Sequence, residues 1–188
     1  MNKRKILLNP GPVTLSDRVR ASLQKNDLCH RETNFAELLK EVKRKLLEVY
    51  ELDSGVYDAV VLSGSGTLAV EAMLSSFISD EDKTLVLTNG VYGERMIQMM
   101  KLHNKHHDVM KESWQDPVNL IALEELLKKS SYSKLLLVHN ETTTGRLNDL
   151  KAVLSICEKF NVKVLLDGVS SFGAEEINFD FPALLAVA

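Results

Sequence analysis

The sequence predicts an α/β fold: a mostly parallel sheet between two layers of helices. Four short runs, residues 59–62, 84–88, 134–139 and 162–167, are almost wholly apolar, as strands buried on both faces of a parallel sheet are. Stretches with helical spacing of apolar residues separate them, the alternation that marks this class. The composition agrees. With 188 residues, 45% hydrophobic and 26% charged, the chain has the makings of one domain with a real core and is neither disordered, collagen-like nor coiled-coil.

Taken in order, residues 1–30 read as an arm, with Asn9-Pro10-Gly11-Pro12 a stiff turn within it. Residues 31–188 read as the sheet domain. Asn34 is placed to cap a helix, with Glu37 reaching back as in a capping box, and Phe35, Leu38, Leu39, Val42, Leu46 and Val49 form its apolar stripe. A strand follows at 59–62, a helix at 68–77, a strand at 84–88 and a helix at 92–102. A second helix at 120–127 precedes the strand at 134–139, the helix at 150–160 and the strand at 162–167. Right-handed crossovers are expected. Beyond Asp167 come a short loop to Gly173, a polar patch, and an apolar run at 181–188 in which the chain stops. That ending is read as an unfinished domain, so the expectation is a piece of a longer protein.

Charge and composition narrow the function classes. Lysine plus arginine number 23 against 26 aspartates and glutamates, a net charge of −3, so no broad basic face for nucleic acid is expected. Residues 1–5 are basic, but the apolar run after them is only Ile6, Leu7 and Leu8, too short for a signal peptide. No run approaches the ~18 apolar residues of a membrane span. Cys29 and Cys157 make no disulfide framework. A cytoplasmic protein is expected.

Four loops that follow strands carry chemistry. Ser63-Gly64-Ser65-Gly66-Thr67 lies between a strand and a helix. Unpaired amides, glycines and hydroxyls there make a phosphate cradle, or else simply a glycine-rich helix cap. Gly64, Gly66 and Ala69 satisfy the loose dinucleotide pattern, but the next strand ends Leu87-Thr88-Asn89-Gly90 without the ribose-binding carboxylate. No Gly-Lys-Ser/Thr triplet is present, which excludes a Walker-type loop. A single phosphate monoester fits better. Asp167 ends the strand 162–167, where such sheets bind ligands; it is also placed to cap a turn, bind a metal or pair with a cationic ring nitrogen. His139-Asn140-Glu141-Thr142-Thr143-Thr144-Gly145 offers hydroxyls that bond either a ligand or the loop itself. Tyr92, in Asn89 to Arg95, is an aromatic for stacking or for packing.

Together, a phosphate cradle, an aromatic face, hydroxyls and a carboxylate describe a pyridoxal phosphate site. At this point the sequence resembles the class V, fold-type I aminotransferases. The matching stretches are residues 8–14, Cys29 to Glu32, Ser63 to Glu71, Asn89 to Arg95, His139 to Gly145 and Asp167 to Gly173. The resemblance implies the N-terminal part of that family's large domain, working as a homodimer. It implies that Ser65, Gly66 and Thr67 hold the phosphate, Tyr92 stacks on the ring, Thr142 bonds near the ring oxygen and Asp167 pairs with the ring nitrogen as the catalytic carboxylate. His30 and Arg31 are substrate candidates, against the commoner role of a salt bridge or loop anchor. The wording of the HNETTTG and NGVYGER stretches implies amino transfer from 2-aminoethylphosphonate to pyruvate, giving phosphonoacetaldehyde and alanine. Transamination with glyoxylate is the alternative within the family.

One departure stands out. The family anchors its cofactor through a lysine some tens of residues after the aspartate, and no lysine follows Lys163 here. The family arrangement would place it just past Ala188, so this stretch by itself is expected to be inactive. A non-catalytic remnant or dimerisation module is the reading from another class. No metal site is expected: His103, His106 and His107 share a helical spacing but read as a solvated helix end. Met96, Met99 and Met100 read as core filler.

Overall fold

The computed structural model describes residues 5–9 and 11–188; residues 1–4 and Pro10, with part of the expected N-terminal turn, lie outside the described residues. The chain divides into two compact units, Met1–Val60 and Val61–Ala188.

The first unit holds α1 (Asp17–Ser22) and α2 (Thr33–Glu48). The Ser16 hydroxyl caps α1 by accepting from the Val19 amide at 3.3 Å. The capping box expected at Asn34 is not formed. The helix begins earlier, with Glu32 at its cap, and the Asn34 side chain accepts instead from the adjacent Phe35 amide at 2.8 Å. None of the expected stripe is buried: Phe35 and Leu46 are half-buried and Leu38, Leu39, Val42 and Val49 exposed, and the residue α2 buries is Leu47, outside the stripe.

The second unit carries α3 (Gly66–Phe77), β1 (Thr84–Thr88), α4 (Val91–Leu102), β2 (His107–Lys111), α5 (Leu120–Lys129), β3 (Lys134–Val138), β4 (Asn140–Glu141), β5 (Arg146–Leu147), α6 (Leu150–Lys159), β6 (Lys163–Asp167) and β7 (Leu184–Val187). Five strands form one parallel sheet in the order β2-β1-β3-β6-β7, and β4 and β5 form a small antiparallel hairpin. Side chains alternate across the sheet. Val86, Leu136, Val138 and Leu165 pack with Val70, Met73 and Leu74 of α3 and with Met96, Ile97, Met99 and Met100 of α4 in one buried cluster. The opposite layer pairs α5 with α6.

Two further expectations were overturned. The run 59–62 forms no strand. It straddles the division between the units, pairs with no described strand, and leaves Val60 81% exposed; an apolar run without a hydrogen-bonding neighbour has no ladder to join. Conversely, β2 occupies residues read as the solvated end of a helix. His103 closes α4 and its Nε2 lies 2.9 Å from Glu71 Oε1. His107 opens the strand, which the sequence hid because an edge strand with Asp108 and Lys111 exposed lacks the apolar run of a central one.

The strand order places the ligand crevice. From β1 the chain crosses to β2 on one side, whereas from β3 it crosses to β6 on the other. Connections leaving neighbouring strands β1 and β3 therefore diverge, opening a gap beyond their carboxyl ends. Buried amides bridge those two tips: Asn89 Nδ2 donates to Asn148 Oδ1 at 2.8 Å, and Asn148 Nδ2 donates to the Val138 carbonyl at 2.8 Å.

Candidate functional site

The phosphate-cradle residues stand at the start of α3. Ser65 is its N-cap, in extended conformation, and makes no side-chain cap bond; the first turn carries no acidic residue. The leading amides of α3 are thus left without a capping side chain. Gly66 is required by crowding: a Cβ there would lie 2.7 Å from Val169 Cγ1. Thr67 Oγ1 accepts from Arg95 Nη1 at 3.1 Å. The Arg95 guanidinium lies over the Tyr92 ring, 4.7 Å from its centroid, an arrangement their i, i+3 spacing on α4 permits. Among the described residues no carboxylate pairs with Arg95.

Asp167 ends β6 and is 6% exposed. Its Oδ1 accepts from the Val169 amide at 3.1 Å, and no other side-chain or backbone donor reaches this carboxylate among the described residues. Burial pushes its pKa above the usual aspartate range, and the nearby Glu141 charge pushes the same way; the Val169 amide and the Arg95 charge oppose them. The result is a desolvated carboxyl group with one oxygen open.

The β4–β5 hairpin delivers the hydroxyls. Thr142 Oγ1 meets Ser170 Oγ at 2.5 Å, three residues beyond Asp167. Beside it Glu141, 0% exposed, accepts from the Tyr92 amide at 3.1 Å and the Gly93 amide at 3.3 Å. It therefore caps α4 from another segment of the chain. His139 is buried, with Nδ1 2.9 Å from Ser171 Oγ; burial lowers its pKa, and the Glu175 charge opposes that.

These contacts close on themselves. Gly66 abuts Val169, whose amide holds Asp167; Ser170 meets Thr142; Glu141 holds the Tyr92 backbone; Arg95 joins the Tyr92 ring to Thr67, next to Gly66. All six sequence-predicted cofactor residues (Ser65, Gly66, Thr67, Tyr92, Thr142 and Asp167) belong to this circuit or adjoin it. His30 and Arg31 fall in the first unit, exposed, just before α2. Four circuit members carried no assigned role in the sequence: Arg95, Glu141, Val169 and Ser170. Arg95 has a legible signal in its spacing from Tyr92; Glu141 and Val169 act through partners far along the chain. Among the described residues no group of three or more His, Cys, Asp or Glu could hold a metal, and no helix is long and apolar enough to cross a membrane.

Comparison with known proteins gives a concordant result. The family model described as "Aminotransferase class-V" matches residues 17–181. A bifunctional phosphonoacetaldehyde hydrolase/aminoethylphosphonate transaminase of Clostridioides difficile is 36% identical over 182 residues, covering 94% of this chain and 28% of that protein. A 2-aminoethylphosphonate–pyruvate transaminase of Bacillus cytotoxicus is 35% identical over 179 residues, covering 94% of this chain and 48% of that protein. Among solved structures, a subgroup IV aspartate aminotransferase of Thermus thermophilus superposes with a TM-score of 0.87 at 28% identity, over 97% of this chain and 51% of that one. The chain thus spans about half the length, or less, of the relatives it matches.

Proposed function

This chain belongs to the class V aminotransferase family, and on that premise we propose that the protein binds pyridoxal phosphate and transfers the amino group of 2-aminoethylphosphonate to pyruvate, giving phosphonoacetaldehyde and alanine. The observation that carries the reading is the closed circuit of contacts that gathers a phosphate cradle, an aromatic, hydroxyls and a buried carboxyl group at neighbouring strand tips. The donor set suits the cofactor at both ends. Uncapped amides of α3, the Thr67 hydroxyl and the Arg95 charge suit a phosphate dianion. A buried carboxyl group with an open oxygen suits a protonated ring nitrogen.

The chain's residues then divide the work. Ser65, Gly66, Thr67 and Arg95 bind the phosphate. Tyr92 orients the ring, with Val169, 53% exposed, an apolar contact close to Asp167. Thr142 offers its hydroxyl to the ring oxygen. Asp167 holds a proton on the ring nitrogen, and that cation in turn relieves the burial penalty on the Asp167 carboxylate. When bound, the cofactor supplies a cationic ring that withdraws the electrons left when the substrate amine loses its α-proton. His30 and Arg31 are proposed as contacts to the anionic substrate, and a homodimer as the working form. None of these residues is a lysine, so they are proposed to hold the cofactor by non-covalent contacts alone.

The test supplies the whole protein, of which this stretch is expected to be a piece, with pyridoxal phosphate, 2-aminoethylphosphonate and pyruvate, and measures alanine. Alanine formation that requires all three supports the reading. Activity confined to glyoxylate as acceptor keeps the aminotransferase and overturns the substrate. Cofactor binding without transfer from any amine supports the non-catalytic alternative. Absence of cofactor binding overturns the reading altogether.

A further inference from the structure

Glu141 is the most deeply buried carboxyl group near the site, and the proposed chemistry leaves it without a task. It is 0% exposed, and among the described residues no lysine, arginine or histidine pairs with it. Its negative charge is met instead by neutral donors. The amides of Tyr92 and Gly93 reach it from the first turn of α4, and the Thr143 hydroxyl donates to its Oε1 at 2.7 Å. Thr143 is itself fastened to α4, because its Oγ1 accepts from the Val91 amide at 3.4 Å. The backbone makes room for this arrangement. A Cβ on Gly90 would fall 2.2 Å from Glu141 Cγ, a distance no side chain tolerates, so the turn leading into α4 is built around the carboxyl group.

A buried charge held by neutral donors is a costly way to cap a helix. A capping serine or asparagine at residue 90 would serve at less expense. What Glu141 achieves that a local cap would not is a link between segments. It ties the turn carrying Tyr92 to the hairpin carrying Thr142, which in turn meets Ser170 beyond Asp167.

We propose that Glu141 is a positioning residue for the cofactor ring, fixing the Tyr92 aromatic and the Thr142 hydroxyl relative to each other across the gap between the β1 and β3 tips. The inference rests on the cofactor reading above. It adds that the ring-binding groups depend on one carboxyl group that touches neither ring nor phosphate.

Pyridoxamine 5′-phosphate is the probe, since it carries the ring and phosphate but no aldehyde and so binds without a lysine. Its dissociation constant is measured for the parent protein, Glu141→Gln, Tyr92→Ala and the double variant, alongside the melting temperature without ligand. If Glu141 acts through Tyr92, Glu141→Gln weakens binding about 10-fold in the parent and less than about 2-fold in the Tyr92→Ala background, the non-additivity expected of coupled groups. Thr143→Val, an exposed and fold-tolerant change, weakens binding to an intermediate degree, and Gly90→Ala, which displaces the carboxyl group without altering it, reproduces the loss. Additive losses, or a lowered melting temperature with unchanged affinity, overturn the inference and leave Glu141 a structural cap. A parent protein that binds no probe defeats the cofactor reading itself, and this inference with it, before any variant is compared.

Discussion

The two ends of the sheet treat charge in opposite ways. At the amino ends of the strands, Asp82 accepts from Ser133 Oγ at 2.5 Å and pairs with Lys134 Nζ at 2.9 Å. Asp108 pairs with Lys83 at 2.9 Å and accepts from the Tyr132 hydroxyl at 2.7 Å. Burial works against Asp82, yet bonds from Ser133, Lys134 and Ser79 hold it far below the ordinary aspartate range; Lys83 and Tyr132 lower Asp108. At the carboxyl ends, Asp167 is pushed the other way, and among the described residues no cation pairs with Glu141 and no carboxylate with Arg95. One end has its charges matched internally and stabilises the fold. The other keeps donors and acceptors in reserve, an arrangement that favours a ligand over the empty protein.

The sharpest way to break this contrast is at Asp167. Asp167→Asn is expected to weaken pyridoxamine phosphate binding by up to about 100-fold, the upper range for a hydrogen bond to a charged group. A raised pKa means the ionised form opposes folding. Its penalty is absent below the unfolded pKa near 4 and grows as pH rises through the folded value. The same substitution should therefore stabilise the empty protein at neutral pH by about 1 kcal/mol, a melting temperature higher by roughly 2–4 °C. A drop in melting temperature would place Asp167 with the structural charges.

Asp82→Asn should do the reverse. Removing one partner of a mostly buried pair is expected to cost about 2 kcal/mol of stability and leave probe affinity unchanged. Because the folded pKa of Asp82 is depressed, its contribution is present above pH ~4 and disappears as pH falls below that. Unfolding midpoints at pH 7 and pH 3 check the sign: parent and variant should converge in acid. Arg95→Ala is a milder test of the reserve. It should weaken the probe roughly 5- to 10-fold, through a single exposed cation, with little effect on melting. The smallest effect belongs to His139. Its lowered pKa makes stability full above pH ~6.5 and declining below it, so His139→Gln should flatten the melting curve's pH dependence between 6.5 and 5 by less than about 1 kcal/mol.

How far the sequence reveals all this depends on where each element gets its partners. Strands β1, β3 and β6 are buried on both faces, and their apolar runs were legible to within a residue. Strand β2 pairs with one neighbour at the sheet's edge and left no such run. Residues 59–62 carried the run without the neighbour. The site divides in the same way. Asp167, Tyr92, Thr142 and the Ser65–Thr67 turn declare themselves by standing at the ends of recognisable elements. Glu141 does not, because its meaning lies in amides brought to it from α4 by the parallel sheet, and no local pattern records that.

The Asn89–Asn148 amide pair has a bearing on how the pocket behaves before anything enters it. These side chains are 3% and 4% exposed and clamp the neighbouring strand tips from inside. Prising the tips apart would strand polar atoms away from water. The spacing of these two tips is therefore held by hydrogen bonds the fold makes for itself, ones that do not depend on an arriving molecule.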